Sequence, residues 1–102
     1  MAIFESIFHN DQLMIIIKGK FIFEDRKKFT AAYEHIPYIE DKKILIDLTN
    51  SLFLDSTALQ LLLILRECCG GNSNKITLKI SGNTNITKII QVTKFEQLFT
   101  IA

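Results

Sequence analysis

Apolar positions along this chain follow two periods, one suited to strands and one to helices, and each changeover falls at turn-forming residues. Ile3 to Phe8 alternates weakly, and His9-Asn10-Asp11 is a turn signal. The run Leu13-Met14-Ile15-Ile16-Ile17 inside Gln12 to Lys18 reads as a strand buried on both faces, so the chain opens with a β-hairpin. Lys18-Gly19-Lys20 breaks that run. Phe21-Ile22-Phe23 then leads into Glu24-Asp25-Arg26, an acidic helix start favoured by the macrodipole. Phe29, Ala32, Tyr33 and Ile36 recur at helical spacing, and the first helix ends before Pro37, since a residue preceding proline is biased out of the α region. Tyr38 to Lys43 is a polar connector.

The stretch Ile44–Leu65 organises the rest. Ile44-Leu45-Ile46 is a short aliphatic run typical of a central strand, closed by the turn-forming Asp47-Leu48-Thr49-Asn50-Ser51. Asp55-Ser56-Thr57 precedes the strong helix formers Ala58 to Arg66, so a carboxylate or hydroxyl is placed to cap the first helical amides, with Ser56 at the helix N-terminus. That helix should stop at Gly70-Gly71, where glycine takes the left-handed conformation, and Asn72-Ser73-Asn74 completes the loop. Lys75 to Ile80 alternates as a half-exposed strand, and Ser81-Gly82-Asn83 is a turn. Asn83 or Thr84 can cap a short helix carrying Ile86, Ile89, Ile90 and Phe95 inward, ahead of a last apolar segment, Leu98 to Ile101. The order ββαβαβα plus a terminal strand or helical turn predicts an α/β fold. Residues 1–102 are expected to form a single domain: a mostly parallel central sheet with an N-terminal antiparallel hairpin and packed helices.

Composition narrows the function. With 102 residues, 48% of them hydrophobic and 23% charged, the chain has the balance of one ordered globular domain. A formal net charge of +1 supplies no electrostatic reason to bind nucleic acid or an anionic membrane. The apolar run Leu59 to Leu65 is far shorter than the ~20 residues a bilayer span needs, so no membrane insertion is expected. Met1 to Glu5 carries no secretory-signal pattern, which points to the cytoplasm. Cys68 and Cys69 are adjacent and read as reduced, one toward the core and one more exposed. His9 and His35 are single, widely spaced and expected at the surface, with no ligand at metal-binding spacing. Neither a Gly-x-Ser-x-Gly nucleophile elbow, a phosphate-cradling Gly-Lys loop nor a dinucleotide fingerprint occurs. No cofactor or metal is therefore expected, while a Ser-His-Asp set, which assembles across a fold, stays open from these residues alone. Lys27-Lys28 and Lys42-Lys43 read as solvated charge pairs.

Asp47-Leu48-Thr49, Phe53-Leu54 and Asp55-Ser56-Thr57-Ala58-Leu59 resemble the signature of STAS domains, the sulphate transporter and anti-sigma factor antagonist domains. The resemblance covers nearly the whole chain. Gly19 falls where the family has a glycine after its second strand, and Asn83 to Ile101 resembles the family's last helix and terminal strand. Two positions depart from it, Ala58 and Lys94, where the family usually has glycine. The resemblance implies a bacterial-type partner-switching regulator of transcription. Ser56 would be phosphorylated by a partner serine kinase, either an ATP-dependent anti-sigma factor or a related histidine-kinase-like serine kinase, and cleared by a phosphatase. Asp55, Thr57 and Asp47 would flank that site in partner binding, and ATP would belong to the partner. Read from residues alone, Asp55-Ser56-Thr57 is a helix cap, a role compatible with phosphorylation because helix N-termini stabilise anions. Two alternatives accompany this reading: a constitutive STAS subunit of a lipid-transport ATPase, and a small-molecule or nucleotide-binding module. Asp47 also sits where a response-regulator receiver carries its phosphorylated aspartate, but no acidic pair is placed to hold the magnesium such a site requires. Asp47 is expected instead to bond the loop that follows it.

Overall fold

The computed structural model of the chain describes residues 1–71 and 74–102. Alternating apolar residues at the start form β1 (Ala2–His9) and β2 (Gln12–Phe21), paired antiparallel from Ala2↔Gly19 to His9↔Gln12. Between them Asn10 and Asp11 both take positive φ (52° and 61°), the two-residue turn whose twist matches that of the flanking strands. There follow α1 (Arg26–Ala31), β3 (Lys43–Asp47), β4 (Ser51–Leu54), α2 (Ser56–Cys68), β5 (Ile76–Lys79), α3 (Thr84–Thr93) and β6 (Thr100–Ile101). The strand order is β1-β2-β3-β5-β6, all parallel after the opening hairpin, with β3 in the middle as its sequence predicts. The parallel crossovers step in one direction across the sheet, so right-handed connections place their helices on one face. Leu13, Ile15, Ile17, Ile44, Ile46, Leu48, Ile76 and Leu78 point to that face and are buried against Leu62, Leu65, Ile86 and Ile90 of the helices.

The structure differs from the sequence expectation in several places, each with a physical cause. β2 is flanked by strands but covered on one face only: Leu13, Ile15 and Ile17 are buried, whereas Met14 and Ile16 are half-exposed on the open face. An apolar run marks a strand interior to a sheet; it does not show that both faces are covered. β4, to which the sequence assigns no element beyond the turn ending at Ser51, is a four-residue strand that pairs with β2 at Gly19, Lys20 and Phe21, beyond the point where β3 leaves it. The first helix is only six residues, giving way to turns after Ala31, and Asp25 stands at its N-cap position without a capping hydrogen bond. The Asp25 carboxylate is fully buried and accepts the amides of Ala2 (3.1 Å to each oxygen) and Ile22 (3.0 Å), tying the start of β1 to the end of β2. Phe29 reaches the core from the helix, and Ala32, Tyr33 and Ile36 reach it from the turns that follow. Of the loop Asn72-Ser73-Asn74, residues Asn72 and Ser73 lie outside the described residues.

Both long helices are closed as their sequences require. Gly70 and Gly71 take positive φ behind α2, with the Gly71 amide on the Arg66 carbonyl at 2.9 Å. Behind α3 the same left-handed position is filled by Lys94 (φ 59°), whose amide bonds the Ile90 and Gln91 carbonyls. A side chain there is strained where glycine is not. Lys94→Gly is expected to stabilise the domain by about 0.5–1 kcal/mol, the relief of strain exceeding the added freedom of the unfolded chain. Urea denaturation of the two proteins checks this, and an unchanged or lower midpoint would contradict it.

Candidate functional site

β4 ends at Leu54 and the chain enters α2 through Asp55, whose extended backbone (φ −83°, ψ −179°) is that of a helix N-cap. One carboxylate oxygen of Asp55 accepts the Ala58 amide at 2.8 Å, satisfying a first-turn donor that has no partner within the helix. The other accepts the Phe23 amide at 2.9 Å, from the segment that joins β2 to α1. The Asp55 amide in turn donates to the Phe21 carbonyl at 3.2 Å. Asp55 is thus fixed from both sides, and Ser56, the first residue of α2, is held outward and exposed. Thr57 is half-buried, and Ala58, where the family usually has glycine, is fully buried with its methyl in the core.

A second set of polar contacts shapes the crossing between β3 and β4. Asp47 folds back on it: one oxygen accepts the Thr49 amide at 2.9 Å and the Thr49 hydroxyl at 2.6 Å, the loop-bonding role its sequence suggests. Burial pushes the Asp47 carboxyl up, but the two Thr49 hydrogen bonds and the charges of Lys79 and Lys18 outweigh it and hold the group below the ordinary carboxylate range. The Asn83 side chain donates to the carbonyls of Leu48 (2.9 Å), Thr49 (3.3 Å) and Ser51 (2.7 Å), while its oxygen caps α3 at the Ile86 amide (3.2 Å). The buried Ser51 hydroxyl donates to the Ile17 carbonyl at 2.6 Å. Asp47 aligns with Ile16 on β2 and Asp55 bonds Phe21, so the two aspartates are separated by five residues of strand, roughly 15 Å. The structure brings Asp55, Ser56 and Thr57 together and places Asp47 apart, on the open face of the sheet.

Exposed apolar side chains stand on both segments that meet at Asp55. Phe23, joined to Asp55 through its amide, is 50% exposed, and Leu52 and Phe53 of β4 are 59% and 46% exposed. Arg26 lies 4.0 Å from the centre of the Phe23 ring and donates to the Phe23 carbonyl. Along the outer face of α2, Gln60, Leu63, Ile64 and Glu67 line a shallow depression. Sequence reasoning missed Phe23, Ser51 and the bridging reach of Asn83; only the last had a local signal, as a helix cap after a glycine turn. Burial pushes the Cys69 thiol up to about 11, with Cys68 adding in the same direction, so Cys69 is a core residue beside the exposed Cys68. Among the described residues no helix is long and apolar enough to cross a membrane, and no cluster of three His, Cys, Asp or Glu side chains is placed to hold a metal.

The chain is 38% identical over 91 residues to a STAS-domain containing protein of Pseudomonas aeruginosa, spanning 89% of this chain and 88% of that one. The chain belongs to the STAS-domain family. Its fold is shared with an anti-sigma factor antagonist from Mycobacterium paratuberculosis (17% identity, 99% of this chain and 85% of that one, TM-score 0.81). It is shared as well with the anti-sigma factor antagonist SpoIIAA in its unphosphorylated form (14% identity, 98% and 87%, TM-score 0.72). No protein-family model matches the chain. In this STAS domain Phe53-Leu54 and Asp55 to Leu59, part of what carried the resemblance, build the β4–α2 junction, while Asp47-Leu48-Thr49 builds the crossing ahead of β4.

Two measurements follow from the carboxylates of this STAS domain. Asp55→Ala removes both the cap and the bridge to Phe23 and should cost more than the ~0.5–2 kcal/mol of a cap alone, whereas Asp55→Asn keeps one acceptor and should fall between it and the parent. Equal losses in the two variants, by urea denaturation, would remove the bridge from the account. Asp47 has a folded-state pKa below its unfolded one, so its contribution is present above the unfolded pKa and is lost as pH falls through the folded value. Asp47→Asn should therefore flatten the acid limb of the stability–pH curve. Parallel curves for parent and variant would contradict this.

Proposed function

We propose that this STAS domain is a non-enzymatic regulatory switch in which Ser56 is phosphorylated by a partner serine kinase and the modification controls protein binding. The observation that carries this reading is the placement of an exposed hydroxyl at the first position of α2, presented by Asp55 at a junction whose two incoming segments carry the exposed apolar side chains of Phe23, Leu52 and Phe53. A partner can bury those apolar groups and contact the neutral hydroxyl in one interface. The anti-sigma factor antagonists that share the fold support an anti-sigma factor as the partner; the kinase is that partner or a related serine kinase, and a phosphatase restores the unmodified form. Asp55 and Thr57 flank the phosphoacceptor, and Asp47 serves it from a distance by holding the crossing that leads into β4. ATP is the partner's ligand, and the switch operates in the cytoplasm on transcription.

A phosphoserine carries about −1.5 to −2 charges at neutral pH and would stand beside the Asp55 carboxylate. The first-turn amides and helix macrodipole of α2 absorb part of that charge inside the domain, so the fold is kept. A partner surface shaped for a hydroxyl has no such donors and must desolvate a dianion. A loss of ~3 kcal/mol weakens binding on the order of a hundredfold. Ser56→Ala should accordingly bind the partner whether or not kinase and ATP are present, and Ser56→Asp should bind poorly. Incubation with the cognate kinase and ATP, mass spectrometry of the product, and titration of both forms against the partner make the test. A phosphate on Thr57 or Asp47, or equal affinities of the two forms, would contradict the switch and favour a constitutive docking subunit.

A further inference from the structure

We propose that two copies of this chain associate by antiparallel pairing of their β1 strands across the free edge of the sheet, in the register that sets Ile7 against Ile7 and Ser6 against Phe8. The edge is available because β1 ends the strand order and is paired only with β2. Hydrogen bonding fixes which residues face outward. Ala2 stands opposite Gly19, yet the Ala2 amide goes to Asp25 and the Gly19 amide goes to the Asn50 carbonyl at 3.1 Å, so the two face away from each other. Antiparallel ladders alternate, so Ile3, Glu5, Ile7 and His9 bond β2 while Phe4, Ser6 and Phe8 present their amides and carbonyls to the free edge. Asp25 occupies the outward amide of Ala2 at one end. The Ser6–Phe8 half carries no such cover among the described hydrogen bonds, although unpaired edges are commonly blunted.

Self-pairing through that half admits few registers, because only outward-facing residues can exchange hydrogen bonds. A register with Phe4 opposite Ser6 would set Glu5 against Glu5, two like charges in direct opposition; Ser6 opposite itself sets Glu5 against Ile7, and Phe8 opposite itself runs Ser6 onto Asn10 of the turn. The register with Ser6 opposite Phe8 sets Glu5 beside His9 of the other copy on both sides of the two-fold axis, and Ile7, which is 54% exposed, against itself. Glu5 already has Lys18 at 3.8 Å on its own sheet face and would lie between two basic groups. The opposite face also fits. Phe8 is 46% exposed on the helix side of β1, and a Phe8 placed across from Ser6 enters an open groove of about 480 Å³ between β1 and α1, lined by Phe4, Ser6, Lys28, Ala31 and Ala32. A large ring on one strand thus meets a hydroxymethyl group and two alanines on the other. Antiparallel pairing directs the two Ser56 ends in opposite directions, so both remain open to partners.

The test uses the full chain. Sedimentation velocity from micromolar to millimolar concentration should show the parent passing from monomer to dimer. Ser6→Pro removes an outward amide that the β1–β2 ladder does not use, and Ile7→Lys sets two charges against each other; each should raise the dimer dissociation constant about tenfold or more with unchanged circular dichroism. Cross-linking reads the register. In a Cys68→Ser background, Ile7→Cys should oxidise to a covalent dimer, since directly opposed residues of this pair type lie within disulfide reach, while Ile3→Cys should not. A parent that stays monomeric at every concentration, a dimer indifferent to both Ser6→Pro and Ile7→Lys, or equal cross-linking at the two positions would overturn the proposal.

Discussion

A single carboxylate, that of Asp55, holds the functional end of this domain together. Its two oxygens take two backbone amides from different parts of the chain, Ala58 in the first turn of α2 and Phe23 after β2. A helix cap is worth about 1 kcal/mol in isolation. Here the same side chain also decides where the helix starts relative to the sheet, and so which residue stands first and outermost. Ser56 owes its exposure to that geometry, and Ala58 two residues on owes its complete burial to it.

The rest of the structure supports the junction from behind. β2 is long enough to pair first with β3 and then with β4, so the chain must cross between them within a few residues. That crossing exposes backbone carbonyls, which cost free energy when buried without donors. Asn83 supplies those donors with one amide group and caps α3 with the other end of the same side chain; Asp47 and Thr49 close the near side. The apolar core beneath, from Ile15 and Ile46 to Leu62 and Ile86, gives these polar contacts a fixed base. Local order at the site is therefore a consequence of pairing on β2 and of a helix cap some thirty residues further along the chain.

Much of this was legible in the residues themselves. The hairpin, the central strand, the stop at Gly70-Gly71 and the inward faces of the long helices follow from apolar period and turn chemistry. β4 was hidden because a four-residue strand beginning with a serine resembles a turn, and its exposed Leu52 and Phe53 break the alternation. Asp25 looked like a helix-start acid because sequence shows the type of a residue and its neighbours, whereas its partner Ala2 is twenty-three positions away. At the site the segment Asp55-Ser56-Thr57 showed the cap directly. The contribution of Phe23 was invisible for the same reason as that of Asp25: it is made through a backbone amide brought in by the fold.

The central claim is that the Ser56 surface is a rigid platform whose charge, and not whose fold, is what a modification changes. Residue-resolved amide hydrogen exchange on the unmodified and the Ser56-phosphorylated domain addresses it directly. The account predicts that the Ala58 and Phe23 amides keep their protection in both forms, with differences confined to the first turn of α2 and the neighbouring Phe53 and Leu52. Loss of protection at Phe23, or along the length of α2, would show that the phosphate displaces Asp55 and melts the helix start, and would contradict it.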